Sequence, residues 1–303
     1  MKISLSPTIK EYWINSNKYY SIKSIEKFIK YFFDDIVLTF SETSDDSPTD
    51  GIIYDIQHNG ETPSNKCNIL LCVENCNFWK HYAHHNKYKN YDNENIKIYL
   101  YNHIDKIEQT DKYIAIPQIY IQINYFQKFY NTIKPSLSIN FHQKKFCLIA
   151  TTINNTFKSE IYKMLLSIDH CDSIKDFPHL KTESCYHSQE ILNLFQQYKF
   201  VFICENSISE GYITEKIFNC YFSRIIPIYY GSNKITYYFN PKTFINININ
   251  LNQLEDTKYK ILTTLMFNQE KYDEYISQNI INPQYNDENY KERLNNFIES
   301  LDS

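Results

Sequence analysis

The sequence contains almost no glycine, with four glycines among 303 residues. Glycine lets a backbone turn sharply or approach another group closely, because it carries no Cβ. Its scarcity excludes the glycine-rich phosphate loop of dinucleotide-binding proteins, which needs three glycines within six residues. Two of the four, Gly211 and Gly231, lie within the single stretch 198–232. We therefore predict that the backbone is geometrically constrained at these two positions.

The chain also lacks a strong excess of charge of either sign. Its formal net charge is −4, which gives no electrostatic case for nucleic acid or an anionic membrane as partner. The apolar segment at its start, residues 1–7, is too short for a secretory signal or a membrane anchor. With 43% hydrophobic and 22% charged residues, the composition is that of a globular chain with a core of its own.

A disulfide framework is missing as well. The eight cysteines are scattered, and several lie inside apolar runs, among them Cys72, Cys147, Cys204 and Cys220. This usage is typical of reduced, buried thiols rather than of a secreted disulfide-rich protein. We therefore expect a cytoplasmic location, with no membrane anchor.

The stretch 198–232 is the most informative part of the chain. A continuous apolar run over 200–204 predicts a strand buried on both faces, and the polar residues that follow it predict a loop. From Tyr212 the pattern has helical period, and a second apolar run over 225–230 predicts another strand. Strand, loop, helix and strand in this order form a βαβ unit, which normally belongs to a parallel sheet.

The loop of this unit is a candidate ligand site, because α/β proteins bind ligands at the carboxyl ends of parallel strands. The start of the helix favours anions, and Lys216 adds a mobile positive charge there. Glu215 offers two acceptors suited to ribose hydroxyls. One side of the predicted helix is apolar (Ile213, Ile217, Cys220, Tyr221) and another is polar (Tyr212, Glu215, Lys216, Asn219). The alternative is an ordinary solvated Glu–Lys pair on an amphipathic helix.

Three short motifs in this stretch resemble the donor-binding signature of the α-1,3/1,4-fucosyltransferase family. They are Glu205-Asn206-Ser207, Tyr212-Ile213-Thr214-Glu215-Lys216 and Pro227-Ile228-Tyr229-Tyr230-Gly231. Cys204 departs from the pattern, since many members carry phenylalanine there. The similarity covers residues 146–247. It implies donor-binding roles for Asn206, Tyr212, Glu215 and Lys216. It also implies a phosphate contact for Lys158, where the family has arginine; lysine keeps the charge but lacks the planar fork.

The resemblance also implies a fold and a reaction. The fold is α/β, with two Rossmann-like domains facing across a cleft, the type B architecture of glycosyltransferases. The reaction is inverting transfer of L-fucose from the donor GDP-fucose to a hydroxyl of a glycan acceptor, in an α-1,3-type linkage. The chain has no Asp-x-Asp triplet, which speaks against a metal-dependent single-domain transferase. We therefore expect neither a cofactor nor a metal ion to be required. Two alternatives remain open: another nucleotide sugar as donor, or a non-catalytic protein that binds nucleotide or glycan.

The amino-terminal half alternates strand-like and helix-like segments, as a Rossmann-like domain does. Strands are predicted over 2–5, 36–40, 51–56, 68–73, 96–100 and 113–116, and a helix over 22–33. Glu74 follows the fourth of these strands. Fucosyltransferases carry a glutamate at the comparable strand end as catalytic base, so the resemblance gives Glu74 that role; the alternative is an exposed loop glutamate. Nearby residues that could bind a metal (Cys67, Cys72, Cys76, His81, His84, His85) match no standard zinc spacing.

A polar segment with a proline, 134–145, predicts a domain boundary. The amino-terminal domain, 1–134, would bind the acceptor, and the carboxyl-terminal domain, 146–303, the donor. In the second domain we predict strands over 146–150, 237–239 and 244–249, besides the two of the βαβ unit. We predict helices over 157–166 and 190–198, short elements in the loop 168–188, and a mostly helical end from 251 onward.

Overall fold

The computed structural model describes six strands of the amino-terminal half and residues 139–284, apart from 152, 181–188, 207, 209–211, 215, 248–252 and 263–265. The chain divides into two compact units, each with its own parallel sheet. None of the helices in these described parts is long and apolar enough to cross a membrane. The α/β class predicted from the sequence is confirmed. The domain boundary at 134–145 stays a prediction.

The first sheet contains six strands, all close to where the sequence predicts them. They are β1 (Lys2–Leu5), β2 (Val37–Phe40), β3 (Gly51–Asp55), β4 (Cys67–Cys72), β5 (Ile96–Tyr101) and β6 (Tyr113–Ala115). Their order is β2-β1-β3-β4-β5-β6, and every pair is parallel. The pairing of β4 with β5 shifts register between Asn68 and Ile69. The predicted helix over 22–33 lies outside the described residues.

The second sheet contains five parallel strands. They are β7 (Lys145–Ile149), β8 (Cys171–Ser173), β9 (Tyr198–Cys204), β10 (Ile226–Tyr230) and β11 (Ile245–Asn246). Their order is β8-β7-β9-β10-β11, read from one edge. The first five strands of the other sheet follow the same plan, second-first-third-fourth-fifth. This is a doubly wound order, in which the chain reverses its direction across the sheet beside the first strand.

Helices flank the second sheet: α1 (Thr156–Leu166), α2 (Gln189–Gln196), α3 (Lys216–Phe222), α4 (Ile235–Tyr238), α5 (Gln253–Lys260) and α6 (Gln269–Ser277). Alternate strand residues such as Phe200, Phe202 and Ile228 share one core cluster with residues of α1, α5 and α6. The intervening residues, such as Val201 and Ile203, are equally buried. Helices α2 and α3 contact each other and β9. A sheet covered on both faces explains why these strands are continuous apolar runs.

Three predictions about local structure are wrong in detail. The segment 237–239 was predicted as a strand, but Ile235–Tyr238 is a helical turn. Ile235, Tyr238 and Phe239 are buried while Tyr237 is exposed, which is the spacing of a helix and not of a strand. Helix α2 ends at Gln196 instead of reaching 198, because Tyr198 already pairs with Lys145 in the sheet.

The third error concerns α3, which begins at Lys216 and not at Tyr212. Its predicted apolar side is confirmed as buried, but Asn219 on the predicted polar side is buried too. The helix is enclosed because it packs against α2 as well as against β9 and β10. It ends where Arg224 adopts a left-handed conformation with φ 51°. Such a residue commonly terminates a helix, and glycine is the usual choice there.

Candidate functional site

The candidate site lies where the strand order of the second sheet reverses, between β7 and β9. These strands are neighbours, and the segments that follow them lead to different helices, α1 after β7 and α3 after β9. In open α/β sheets the carboxyl ends of two such strands border a natural ligand crevice. Lys158 lies in the first turn of α1, and Glu205 directly follows β9.

Glu205 is the most strongly held side chain of the site. It is 1% exposed, and its carboxylate accepts hydrogen bonds from both Thr214 and Lys216. The backbone N–H of Thr214 donates to Oε1 at 2.9 Å, while the hydroxyl of Thr214 and the ammonium of Lys216 donate to Oε2 at 2.7 Å and 3.1 Å. The backbone N–H of Glu205 donates to the carbonyl oxygen of Tyr230 on β10. One buried carboxylate thus joins the end of β9 to the segment that leads into α3.

Lys216 is fixed by the same network. Its Nζ also donates to Oγ1 of Thr214 at 2.8 Å, and its side chain is 15% exposed. The sequence predicted a mobile charge at this position, whereas the structure holds the ammonium in two hydrogen bonds. Tyr212 to Thr214 lie before α3 and are not helical, and there the N–H of Thr214 donates to Glu205.

Lys158 brings a second ammonium to the site. Asn155 caps α1 by accepting a hydrogen bond from the backbone N–H of Lys158, which fixes that residue in the first turn. Lys158 is 5% exposed, yet no carboxylate of the described residues forms an ion pair with it. A buried charge without an opposite charge is costly. The position therefore favours an anionic ligand.

Cys204, the last residue of β9, lies among these charges. Burial raises the pKa of its thiol to about 11. A hydrogen bond from Lys158 and the charges of Lys158 and Lys216 oppose that rise in pKa, while Glu205 adds to it. The thiol donates to the carbonyl oxygen of Glu205 at 3.1 Å. The neutral sulfur is thus a small, polarisable contact for the Lys158 ammonium.

Gly231 closes the site on the β10 side. A Cβ at this position would lie 2.4 Å from the hydroxyl oxygen of Tyr229 and 2.7 Å from Cγ of Glu205. The predicted geometric need is confirmed for Gly231, and the close approach is to these two side chains. Burial raises the pKa of Tyr229 well above its usual range, and the charge of Glu205 raises it further. The Tyr229 hydroxyl accepts a hydrogen bond from the N–H of Ser232. Gly211 lies outside the described residues.

The structure brings together some of the residues predicted for the site. Lys158 and Lys216 both act on the Cys204 thiol, and Tyr212 lies just before Thr214, with 2% of its surface exposed. Asn206 is exposed at the start of the loop. Glu215 and Glu74 lie outside the described residues. Sequence reasoning gave Glu205 no role, although the Glu-Asn-Ser motif contained it.

No group of three or more His, Cys, Asp or Glu side chains able to hold a metal ion occurs in the part of the chain with described side chains. The histidines and Cys76 of the amino-terminal half, which raised the zinc question, lie outside that part.

A second charged cluster lies near the opposite ends of the same strands. Asp172 on β8 accepts hydrogen bonds from Lys145 and Tyr198, the first residues of β7 and β9, both at 2.7 Å. His170 Nε2 lies 3.0 Å from the other carboxylate oxygen. Burial alone would raise the pKa of Asp172, but these hydrogen bonds and the Lys145 charge lower it below the usual value. This cluster lies apart from the candidate site.

Comparison with known proteins agrees with the geometry. Residues 140–284 match the sequence model for glycosyltransferase family 10 (fucosyltransferase) C-term. An alpha-(1,3)-fucosyltransferase FucT from Helicobacter pylori is 34% identical over 99 residues, which cover 33% of this chain and 20% of the relative. A GDP-fucose protein O-fucosyltransferase 3 from Danio rerio is 34% identical over 70 residues, 23% of this chain and 15% of the relative. The chain therefore aligns with a fifth or less of the length of these two proteins.

Solved structures extend the likeness of fold to nearly the whole chain. The crystal structure of an alpha1,3-fucosyltransferase with GDP-fucose has a TM-score of 0.60 and 18% identity, covering 99% of this chain and 89% of that one. The structure of an alpha1,3-fucosyltransferase without a named ligand gives a TM-score of 0.59 at 17% identity. The resemblance found in the sequence motifs is therefore confirmed: residues 140–284 are similar in sequence to the carboxyl-terminal domain of glycosyltransferase family 10, the fucosyltransferases.

Proposed function

We propose that this chain is an inverting glycosyltransferase that transfers L-fucose from GDP-fucose to a hydroxyl of a glycan acceptor, without a metal ion. The proposal is supported by the family match over 140–284 and by relatives whose names specify GDP-fucose or fucosyl transfer. The α-1,3 linkage rests on the relative from Helicobacter pylori. The free and buried state of the four described cysteines supports the cytoplasmic location we propose.

The observation that carries the proposal is the charge arrangement at the carboxyl end of β9. Two ammonium groups, those of Lys158 and Lys216, accompany one buried carboxylate, that of Glu205. Lys158 has no carboxylate partner among the described residues, so the described charged groups of the site (Lys158, Lys216 and Glu205) have one positive charge in excess. The diphosphate of a nucleotide sugar supplies the balancing negative charge, since phosphate oxygens accept strong charge-assisted hydrogen bonds.

The same groups serve the chemistry of the leaving group. As the bond from the sugar to the diphosphate breaks, negative charge grows on the phosphate oxygens. Positive groups already fixed in place stabilise that charge without rearranging. Lys216, held in two hydrogen bonds, and Lys158, held by its position in α1, meet this requirement. In this proposal Glu215, Tyr212 and Asn206 bind the nucleoside part of the donor.

The acceptor side belongs to the amino-terminal half in this proposal. The two Rossmann-like domains, 1–134 and 146–303, face each other across a cleft, as in type B glycosyltransferases. The common strand order of the two sheets supports two domains of similar fold. Glu74, two residues beyond the carboxyl end of β4, removes the proton from the acceptor hydroxyl as its oxygen attacks the anomeric carbon.

Nucleotide binding tests the proposal most directly. Thermal unfolding is followed with GDP, UDP and their sugars, and Kd is then measured by titration calorimetry. A ligand at one hundred times its Kd stabilises the protein by about 2.7 kcal/mol. We expect stabilisation by GDP and GDP-fucose, and release of GDP when a glycan acceptor is added. Stabilisation by UDP alone would indicate a different donor, and GDP binding without turnover on any donor or acceptor would indicate a binding protein.

A further inference from the structure

We infer that Glu205 is a positioning residue that acts through Lys216: it fixes the ammonium that the proposed function assigns to the donor diphosphate. This inference rests on the proposed function. Its basis is that one fully buried carboxylate oxygen, Oε2, accepts both the Lys216 ammonium and the hydroxyl of Thr214.

The carboxylate itself cannot move aside. Its backbone is bound to Tyr230 across the sheet, and its Cγ lies against Gly231 so closely that a Cβ on the glycine would come within 2.7 Å. The Glu205 side chain is wholly buried. Because its backbone and its packing both fix Glu205, the carboxylate holds a bound hydrogen-bond donor in a defined position. Lys216, by contrast, has a long side chain with much rotamer freedom to lose.

The hydrogen-bond network also holds the two residues that flank Glu215 in the sequence. Glu205 accepts two hydrogen bonds from Thr214, the residue before Glu215, and one from Lys216, the residue after it. Thr214 and Lys216 are therefore both held by a single side chain, and Lys216 is a residue to which we assign the donor. Pre-ordering of this kind lowers the entropy lost when a ligand binds.

The arrangement has a definite chemical consequence. An ammonium has three N–H donors, and here two of them are directed at Oε2 of Glu205 and Oγ1 of Thr214. These two bonds fix the orientation of the ammonium. Replacing Glu205 by glutamine would keep the acceptor for the Thr214 N–H. However, the amide would present either an uncharged oxygen or an NH₂ group to Lys216, and the ammonium would lose its strong partner.

A double-mutant cycle tests the inference, with the Kd for GDP measured by titration calorimetry. The variants are Glu205→Gln, Lys216→Met and the two combined. We expect each single change to weaken GDP binding by about tenfold to a hundredfold, the range for charge-assisted hydrogen bonds. If Glu205 acts through Lys216, the double variant binds GDP as Lys216→Met does, within about twofold. If the loss of GDP affinity in the double variant equals the product of the two single losses, Glu205 and Lys216 act independently and the inference is overturned.

A second cycle applies if Glu205→Gln does not fold. Thr214→Val keeps the carboxylate and the shape but removes the hydroxyl that binds both Oε2 and Lys216. We expect GDP binding to weaken about threefold to tenfold, and the loss to vanish when Lys216 is methionine. An equal loss on both backgrounds would overturn the inference.

The matched control is Asp172→Asn, which removes another carboxylate bound to a lysine, on β8 of the same sheet. It should leave GDP affinity unchanged. A loss of GDP affinity equal to that of Glu205→Gln would show that both substitutions act by disturbing the fold in general, and would overturn the inference.

The proposed function fails separately: if the parent protein binds no GDP, both proposals fall. If the parent binds GDP and the cycle is additive, only the role of Glu205 falls.

Discussion

Gly231 and Glu205 lie so close together that no atom larger than hydrogen fits between them. A Cβ on Gly231 would lie 2.7 Å from Cγ of Glu205. Tyr229 makes the restriction stricter, because its hydroxyl oxygen would lie 2.4 Å from the same Cβ and its ring is fully buried. Close packing at one glycine thus determines where the buried carboxylate of the site lies.

Gly231→Ala should therefore destabilise the protein by about 1–3 kcal/mol, the usual cost of overpacking a core. GDP binding should weaken as well, because the methyl group displaces Glu205. Urea denaturation and titration calorimetry measure the two effects. A variant with the stability and affinity of the parent would show that Tyr229 and Glu205 can shift without cost.

Lys158 offers a prediction in which stability and binding change in opposite directions. Lys158→Met keeps the length of the side chain and removes a buried charge that lacks a carboxylate partner among the described residues. Unfolding should occur at an equal or higher temperature, while GDP binding should weaken by about tenfold to a hundredfold. Lys163→Met, on the exposed side of the same helix, is the control and should change neither property much. Lower stability with unchanged GDP affinity would assign Lys158 a structural role.

Glu74→Gln tests the proposed base. Glutamine has the size of glutamate but does not accept the proton, so fucosyl transfer should slow by about 10²–10⁴-fold. The Kd for GDP should remain that of the parent, since the proposed function places the nucleotide in the other domain. Transfer at the parental rate would place the base elsewhere, and Glu61→Gln and Glu94→Gln would then be compared with it.

Chelation tests the expected independence from metal. In the proposed function Lys158 and Lys216 supply the positive charge that a divalent cation gives the leaving group in other transferases, so we expect transfer to continue at the same rate in EDTA. A loss of turnover that manganese restores would contradict this expectation. GDP affinity, measured with and without EDTA, shows whether any such metal acts on donor binding or on a later step.

The Asp172 cluster predicts a pH dependence of stability. The pKa of this carboxyl is lower in the folded protein than its ordinary value of 3.8. Its stabilising contribution is therefore complete above that value and is lost as the pH falls through the folded-state pKa. Asp172→Asn should lower the free energy of unfolding by about 1 kcal/mol at pH 7 and pH 5. That difference should shrink at pH 3. A constant difference at all three pH values would show that the charge of Asp172 does not stabilise the fold.

The strands could be predicted from sequence because a doubly covered parallel sheet needs continuous apolar runs. The bounds of β1, Lys2–Leu5, were predicted to the residue, and those of β10, Ile226–Tyr230, within one. The order of the strands could not be predicted in the same way, since an apolar run indicates burial and not its neighbours. The reversal between β7 and β9, which locates the site, became visible only in the structure.

The candidate site shows the same limit. Resemblance identified Lys158 and Lys216, and the structure gives them a common neighbour in Cys204. Glu205 was visible in the sequence, but a carboxylate after a strand is ordinarily exposed, and its burial depends on Gly231 and Tyr230 from another strand. The start of α3 was also misplaced: Thr214, which binds Glu205, lies before the helix and not in it. Local patterns cannot report contacts of this kind.

The strand order also determines when the site can form as the chain is synthesised. Lys158 emerges from the ribosome before β9, yet its buried surroundings include Cys204 at the end of β9. Until β9 pairs with β7 and β10, the ammonium of Lys158 is solvated and Glu205 does not pack against Gly231. The charged cluster is complete only when Lys216 and Gly231, which follow β9 in the sequence, have also been synthesised and β10 has paired with β9. A nascent or partly unfolded chain would thus lack the complete cluster, and affinity for a phosphate ligand would report on completion of the fold.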